Sequence, residues 1–120
     1  MIQLTNEEKR VRDVLIERAK QNGRITYVEL IAEANLSLSM NNPHHRGLLG
    51  EILGHISEYE NESGRPLLSC ITTLKSGGFS DGFYKLADDL QYGEWHKLKK
   101  DEFAKYELIR TYNYWQRHKE

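Results

Sequence analysis

The chain has 120 residues, of which 38% are hydrophobic and 29% are charged, and it contains a single cysteine. This size predicts one domain, and the formal net charge of −1 argues against strong non-specific attraction to phosphate. No apolar run reaches the roughly 18 residues of a membrane span, and the first residues lack the apolar core of a signal peptide. One cysteine excludes an internal disulfide, so we expect a cytoplasmic protein.

Two helices are predicted in the first third of the chain, each starting with a threonine three residues before a glutamate. In this capping-box spacing the two side chains satisfy backbone donors that the helix leaves free. Apolar residues then recur at helical spacing, which predicts helix 1 over residues 6–21 and helix 2 over residues 27–34. The two pairs are Thr5 with Glu8 and Thr26 with Glu29. One or two residues of strand at Ile25 separate the helices.

Helix 3 is predicted over residues 44–60. Asn42 caps it, and Pro43 suits the first turn because proline lacks the backbone donor that would go unpaired there. This helix carries three glycines, each of which costs roughly 0.5–1 kcal/mol relative to alanine. They are Gly47, Gly50 and Gly54. We expect them to allow close packing against helix 1 or 2, or the close approach of a bound backbone.

Residues 66–89 predict a β-hairpin with a long, glycine-rich tip. Apolar and β-branched residues indicate a strand over 67–74 and a return strand over 82–87, with the tip, or wing, at 75–82. The predicted elements follow the order of a winged helix-turn-helix, which is helix, short strand, helix, helix, strand, wing and strand. The predicted class is therefore α+β and mostly helical, with a β-hairpin wing and an added C-terminal helix.

The chain is predicted to divide into a winged-helix domain over residues 1–90 and a connector with a C-terminal helix over residues 91–120. The helix itself is predicted from about residue 101 to 118 and carries a broad aromatic band. The band consists of Phe103, Tyr106, Ile109, Tyr112 and Trp115. A solvated helix does not need so many apolar residues, so this one should pack on the same domain or at a dimer interface.

The start of helix 3 and the wing hold the candidate nucleic-acid contacts, because recognition helices present their N-terminal residues to base edges and exposed cations bind phosphates. The predicted base contacts are Asn42, His44, His45 and Arg46. The predicted phosphate contacts are Arg65, Lys75 and Lys85. Phe79 is the candidate apolar wedge for a minor groove. The alternatives are an ordinary capped helix start and a surface turn with Phe79 folded back on the core.

Neither catalysis nor metal binding is predicted. Cys70 has apolar neighbours and no base beside it in the sequence, so a buried thiol that packs as a small hydrophobe is favoured over a nucleophile. The five histidines show no metal-ligand spacing, since adjacent His44 and His45 point to different sides of helix 3. We therefore expect a non-enzymatic protein without a metal or cofactor.

The strings ITYVELI, RGLLGEIL, LLSCI and GGFSDG resemble the winged-helix half of the alkylguanine-DNA alkyltransferases over residues 25–82. The resemblance implies that Arg46 matches the arginine that props open the duplex and that Cys70 matches the reactive cysteine. The family's proline, histidine and arginine beside that cysteine are replaced by Ser69, Ile71 and Thr72. Without the histidine the thiol lacks activation, so alkyl transfer is not expected. The C-terminal segment is similar to small uncharacterised bacterial proteins.

Two functions fit this sequence. The first is a winged-helix module that contacts duplex nucleic acid through helix 3 and the wing, with the C-terminal helix as the element of dimerisation. The second is a protein-interaction module, such as an immunity protein or an adaptor, that binds its partner through the C-terminal helix. The predicted partner contacts are Tyr106, Tyr112, Tyr114 and Trp115.

Overall fold

The computed structural model describes residues 2–118 as six α-helices, a 3₁₀ helix and two short strands. The elements are α1 (Asn6–Lys20), β1 (Ile25–Thr26), α2 (Tyr27–Glu33), α3 (Pro43–Glu62), the 3₁₀ helix (Leu68–Ile71), β2 (Thr72–Thr73), α4 (Asp81–Asp89), α5 (Trp95–Lys100) and α6 (Phe103–Arg117). The predicted α+β, mostly helical class is confirmed. None of the helices in the described range is both long and apolar enough to cross a membrane.

The predicted helix starts are confirmed in their atomic detail. The Thr5 hydroxyl accepts a hydrogen bond from the Glu8 backbone N–H (3.1 Å), and the Glu8 carboxylate accepts one from the Thr5 N–H (2.9 Å). The same reciprocal pair opens α2. Asn42 caps α3, with its side-chain oxygen 2.9 Å from the His44 backbone nitrogen, and Pro43 follows in the first turn.

The predicted hairpin and its wing are wrong. β1 and β2 pair in parallel, with Ile25 opposite Thr72, and the predicted return strand at 82–87 lies within α4. The Ser80 hydroxyl caps α4 by accepting a hydrogen bond from the Phe83 N–H (3.4 Å). Phe83, Tyr84 and Ala87 are all buried, and this spacing of one and four residues lies on one side of a helix, whereas a strand would place Phe83 and Tyr84 on opposite faces.

The predicted strand at 67–74 is a 3₁₀ helix followed by only two strand residues, and residues 67–72 are buried. β1 pairs only with Thr72 and Thr73, so side chains from two helices accept the backbone N–H groups at the start of the segment. The Leu67 N–H donates to the Glu107 carboxylate of α6 (2.7 Å), and the Ser69 N–H donates to the Ser57 hydroxyl of α3 (3.1 Å). These bonds satisfy the buried backbone and hold the segment between α3 and α6.

The main core joins both ends of the described chain. Trp115 of α6 is fully buried in the same cluster as Val11 and Leu15 of α1 and Ile56 of α3. The C-terminal helix therefore packs on the rest of its own chain. A second, smaller cluster lies under α4 and α5 and includes Cys70.

Replacing Trp115 with alanine should lower the free energy of unfolding by about 3–5 kcal/mol, because it removes a fully buried indole and leaves a cavity. Urea unfolding followed by circular dichroism measures this change. The control is Tyr106→Ala on the same helix, where the side chain is 67% exposed and a change within about 0.5 kcal/mol is expected. Equal losses for the two variants would contradict the packing of α6 described above.

Candidate functional site

An open groove of about 510 Å³ separates α3 from α4, and we call it the central groove. Gly50 and Gly54 line its α3 side, and Phe83 and Leu86 line its α4 side. Leu74 of the loop after β2 closes one edge. The groove is thus apolar in its interior and accessible from solvent, which is the usual character of a binding site rather than of a packed core.

Two cationic side chains from different helices border this groove. Arg46 lies in the first turn of α3 and Lys85 in the middle of α4, and both are exposed. The Arg46 guanidinium donates to the Met40 carbonyl (2.9 Å), which leaves its other N–H groups directed to solvent. The Lys85 ammonium lies 5.1 Å from the centre of the Trp95 ring of α5. An anionic ligand in the groove would meet both charges.

The negative charge of Asp81, at the start of α4, is compensated. Its carboxylate accepts a hydrogen bond from the Lys99 ammonium of α5 (2.8 Å), and this bond lowers the pKa of Asp81 and raises that of Lys99. Lys85 and His96 also lie near enough to act on the Asp81 carboxylate. Asp81 therefore bonds to Lys99 and leaves Lys85 free of a close ion pair among residues 2–118, while another carboxylate, that of Asp89, lines the central groove itself.

The start of α3 holds the loop between α2 and α3 in place. The His45 Nδ1 accepts a hydrogen bond from the Ser39 backbone N–H (3.0 Å), and the Asn42 side-chain oxygen caps the helix. His44 is exposed, and its ring lies 6.2 Å from that of His45. Of the four predicted base contacts, His44 and Arg46 present most of their polar atoms outward, while Asn42 and His45 each use one polar atom internally.

Two of the predicted nucleic-acid contacts are occupied elsewhere. The Arg65 guanidinium donates to the buried Glu60 carboxylate (2.9 Å), which Arg12 also binds (3.0 Å). Arg65 also follows the C-terminal end of α3, whereas Arg46 lies in its first turn, and Arg65 does not line the central groove. Phe79 is not an exposed wedge, because the Arg24 guanidinium covers its ring at 4.1 Å. The alternative reading, with Phe79 folded back, is the observed one.

The glycines of α3 do not serve close helix packing as predicted. A methyl group added at Gly47 or Gly50 would meet no atom within 4 Å, and one at Gly54 would come no closer than 3.8 Å to Leu86. Neither helix 1 nor helix 2 approaches them. Gly50 and Gly54 instead form an unobstructed wall of the central groove.

The four predicted partner contacts on α6 do not share one surface. Trp115 is fully buried and is removed from this set. The Tyr112 hydroxyl donates to the Gly23 carbonyl (3.0 Å), and Tyr114 is half-buried with its ring stacked on His118 (3.9 Å). Only Tyr106 is largely exposed. The outward apolar surface of α6 consists instead of Tyr106 and Ile109, which are one turn apart.

Cys70 lies beneath the surface and outside the central groove. It is fully buried, and this burial raises the pKa of its thiol to about 12. Its Sγ is 3.2 Å from the Thr111 hydroxyl of α6. The thiol is therefore protonated at neutral pH and screened from solvent, the opposite of an activated nucleophile. Across residues 2–118, no three His, Cys, Asp or Glu side chains are arranged to hold a metal ion.

Arg24 is the residue that sequence reasoning missed. Its guanidinium donates to the carbonyls of Thr72 (2.7 Å), Cys70 (3.3 Å) and Gly77 (2.8 Å), and so fixes the loop that forms one edge of the central groove. Desolvation lowers its pKa. A single arginine before a two-residue strand carries no recognisable signal. By contrast, the spacing of Ser80, Phe83 and Ala87 could have revealed α4.

No protein-family model, curated protein or solved structure matches this chain. The resemblance to alkylguanine-DNA alkyltransferases therefore remains a prediction.

The Cys70 thiol should not react with a thiol-specific reagent near neutral pH while the protein is folded, because it is buried and protonated. Absorbance of the released chromophore measures the rate. The same reagent should react quickly in urea, where the thiol is exposed and its pKa returns towards the ordinary range. Rapid reaction of the folded protein would contradict this account of Cys70.

Proposed function

We propose that this protein is a non-enzymatic module that binds nucleic acid through the N-terminal half of α3, the loop before α4, and α4 itself. The observation that supports this best is the presence of Arg46 and Lys85, from two different helices, at the border of one exposed groove. Two cations at the border of one groove suit contact with successive phosphates, and Lys75, which is exposed in the loop between β2 and α4, is a third candidate contact.

In this proposal α3 acts as the recognition helix. Its N-terminal turn carries the positive end of the helix dipole and presents His44 and Arg46 to the ligand. An arginine in this position can bond a guanine through two donors. The nine residues between α2 and α3 are longer than the usual helix-turn-helix connection, and no wing extends from β2, so contact is confined to α3, α4 and their joining loop.

The acidic residues of α3 do not obstruct this surface. Glu51 and Glu58 line a separate groove between α3 and α1. Asp81 is bonded to Lys99, so its charge is compensated at the place where it approaches Lys85. Because only two or three phosphates are within reach and the net charge is −1, we propose a modest affinity with a logarithmic salt slope of about −2 to −3.

A protein partner for α6 is the second candidate function. Tyr106 and Ile109 are 67% and 56% exposed, and large apolar side chains are rarely left in solvent side by side without use. An adaptor or an immunity protein would present such a surface. This candidate concerns a different part of the molecule, so it does not compete with nucleic-acid binding at the central groove.

Fluorescence anisotropy of labelled random duplex DNA, titrated at low and moderate salt, tests nucleic-acid binding. We expect weak binding whose logarithm falls with the logarithm of the salt concentration at a slope of about −2 to −3. Arg46→Ala and Lys85→Ala should each weaken it several-fold and reduce the slope of its logarithmic salt dependence by about 1, as expected when one phosphate contact is lost.

The matched control is Lys9→Ala, which removes an exposed positive charge from α1, outside the central groove. It changes the net charge by the same amount and should leave binding nearly unchanged. If all three variants lost the same amount of affinity for DNA, binding would depend only on the net charge of the protein and not on the central groove. Absence of binding at low salt would refute the proposal for duplex DNA.

A further inference from the structure

A second groove, of about 590 Å³, lies between the start of α1 and the outer side of α3, and we call it the acidic groove. Three apolar side chains form its floor and four carboxylates surround it. The apolar residues are Leu38, Leu48 and Ile52, and the carboxylates are Glu7, Glu8, Glu51 and Glu58. The groove is open to solvent, so it can receive side chains that project from another helix.

Most of the negative charge at the acidic groove is uncompensated. Glu8 is engaged, since its carboxylate bonds to the Thr5 N–H and lies 2.8 Å from the His55 Nδ1. The other three carboxylates make no hydrogen bond or ion pair with any residue that the structure describes. An occupant with apolar side chains and positive charge would therefore complement both the floor and the border.

The outer side of α6, which we call the cationic ridge, has these properties. Tyr106 and Ile109 project from it one turn apart, and Arg110 and Arg117 lie beside them. Among residues 2–118, those that line this side include no acidic residue. Arg110 bonds to the buried Glu107 carboxylate (3.0 Å), so its charge is partly compensated, whereas Arg117 makes no ion pair with any described residue. Apolar anchors at i and i+3 beside cations are the pattern of a helix that docks into an acidic, apolar groove.

We propose that the cationic ridge of one molecule docks into the acidic groove of a second copy of this chain. A symmetric contact of ridge against ridge would bring arginines of like charge together, and groove against groove would do the same with glutamates, so both are disfavoured. Ridge and groove share no residue, which leaves each molecule able to use both at once. Association is therefore head to tail.

This inference does not depend on nucleic-acid binding. It assigns an occupant to the exposed side of α6 and uses Glu51 and Glu58 of α3, which do not line the central groove, although Gly54 borders both grooves. Association is accordingly measured without nucleic acid, and Arg46→Ala should not alter it. Failure of one proposal leaves the other intact.

Sedimentation velocity over a wide range of protein concentration is the first measurement. We expect species larger than the monomer to appear as the protein concentration rises. Their population should fall when salt is added, because salt screens the charged contacts at the border. A protein that remains monomeric at every concentration, or that associates equally well in high salt, would overturn the proposal.

Two variants with opposite defects test the head-to-tail geometry. Tyr106→Ala with Ile109→Ala removes the anchors of the ridge, and Glu51→Lys with Glu58→Lys reverses the charge of the groove. For each double variant alone, the self-association constant should fall roughly tenfold or more. The first variant lacks the apolar anchors, and the second sets lysines against the arginines of the ridge. Mixed together they should form a 1:1 complex, since one intact groove still meets one intact ridge.

The control is Lys97→Glu, a charge reversal at an exposed residue of α5 outside both surfaces, which should associate as the unaltered protein does. Circular dichroism and melting temperature establish that each variant is folded. If both double variants still associate when alone, or if their mixture stays monomeric, the head-to-tail contact is wrong.

Discussion

The segment from the 3₁₀ helix to α4 depends on one guanidinium group. Arg24 donates to carbonyls on both sides of β2 and lies over the ring of Phe79. In a β-hairpin, a return strand would make the hydrogen bonds to this backbone. Here the Arg24 side chain and the two residues of β1 make them instead. Because the same group holds the strand and the following loop, it also sets the distance between that loop and α4, and hence the edge of the central groove.

The parts of the fold that the sequence predicts correctly are those determined by neighbouring residues. The two capping boxes and the Asn42 cap act over three residues or fewer, so α1, α2 and α3 begin where expected. The segment 66–89 was misjudged because short apolar runs fit a strand and a buried helix equally well. Glu107 and Ser57, which are distant in sequence, accept hydrogen bonds from the backbone of this segment. These bonds replace those that a partner strand would make in a hairpin.

The candidate site shows the same limit. Arg46 and Lys85 were recognisable as exposed cations, but the groove that they border exists only because α4 is a helix that lies beside α3. Arg65 and Trp115 were misassigned for a related reason: residue type does not reveal exposure. Arg65 is drawn inward by the buried carboxylate of Glu60, and Trp115 by the apolar side of α1.

The packing of α6 against α1 has a consequence for the synthesis of the chain. The apolar side of α1, including Val11 and Leu15, shares its core with Trp115, which leaves the ribosome about a hundred residues later. Until then the first helix lacks one side of its core, and the Leu67 N–H lacks the Glu107 carboxylate. This core therefore cannot close until Trp115 has left the ribosome, and loosening either α1 or α6 exposes the apolar residues that both helices bury.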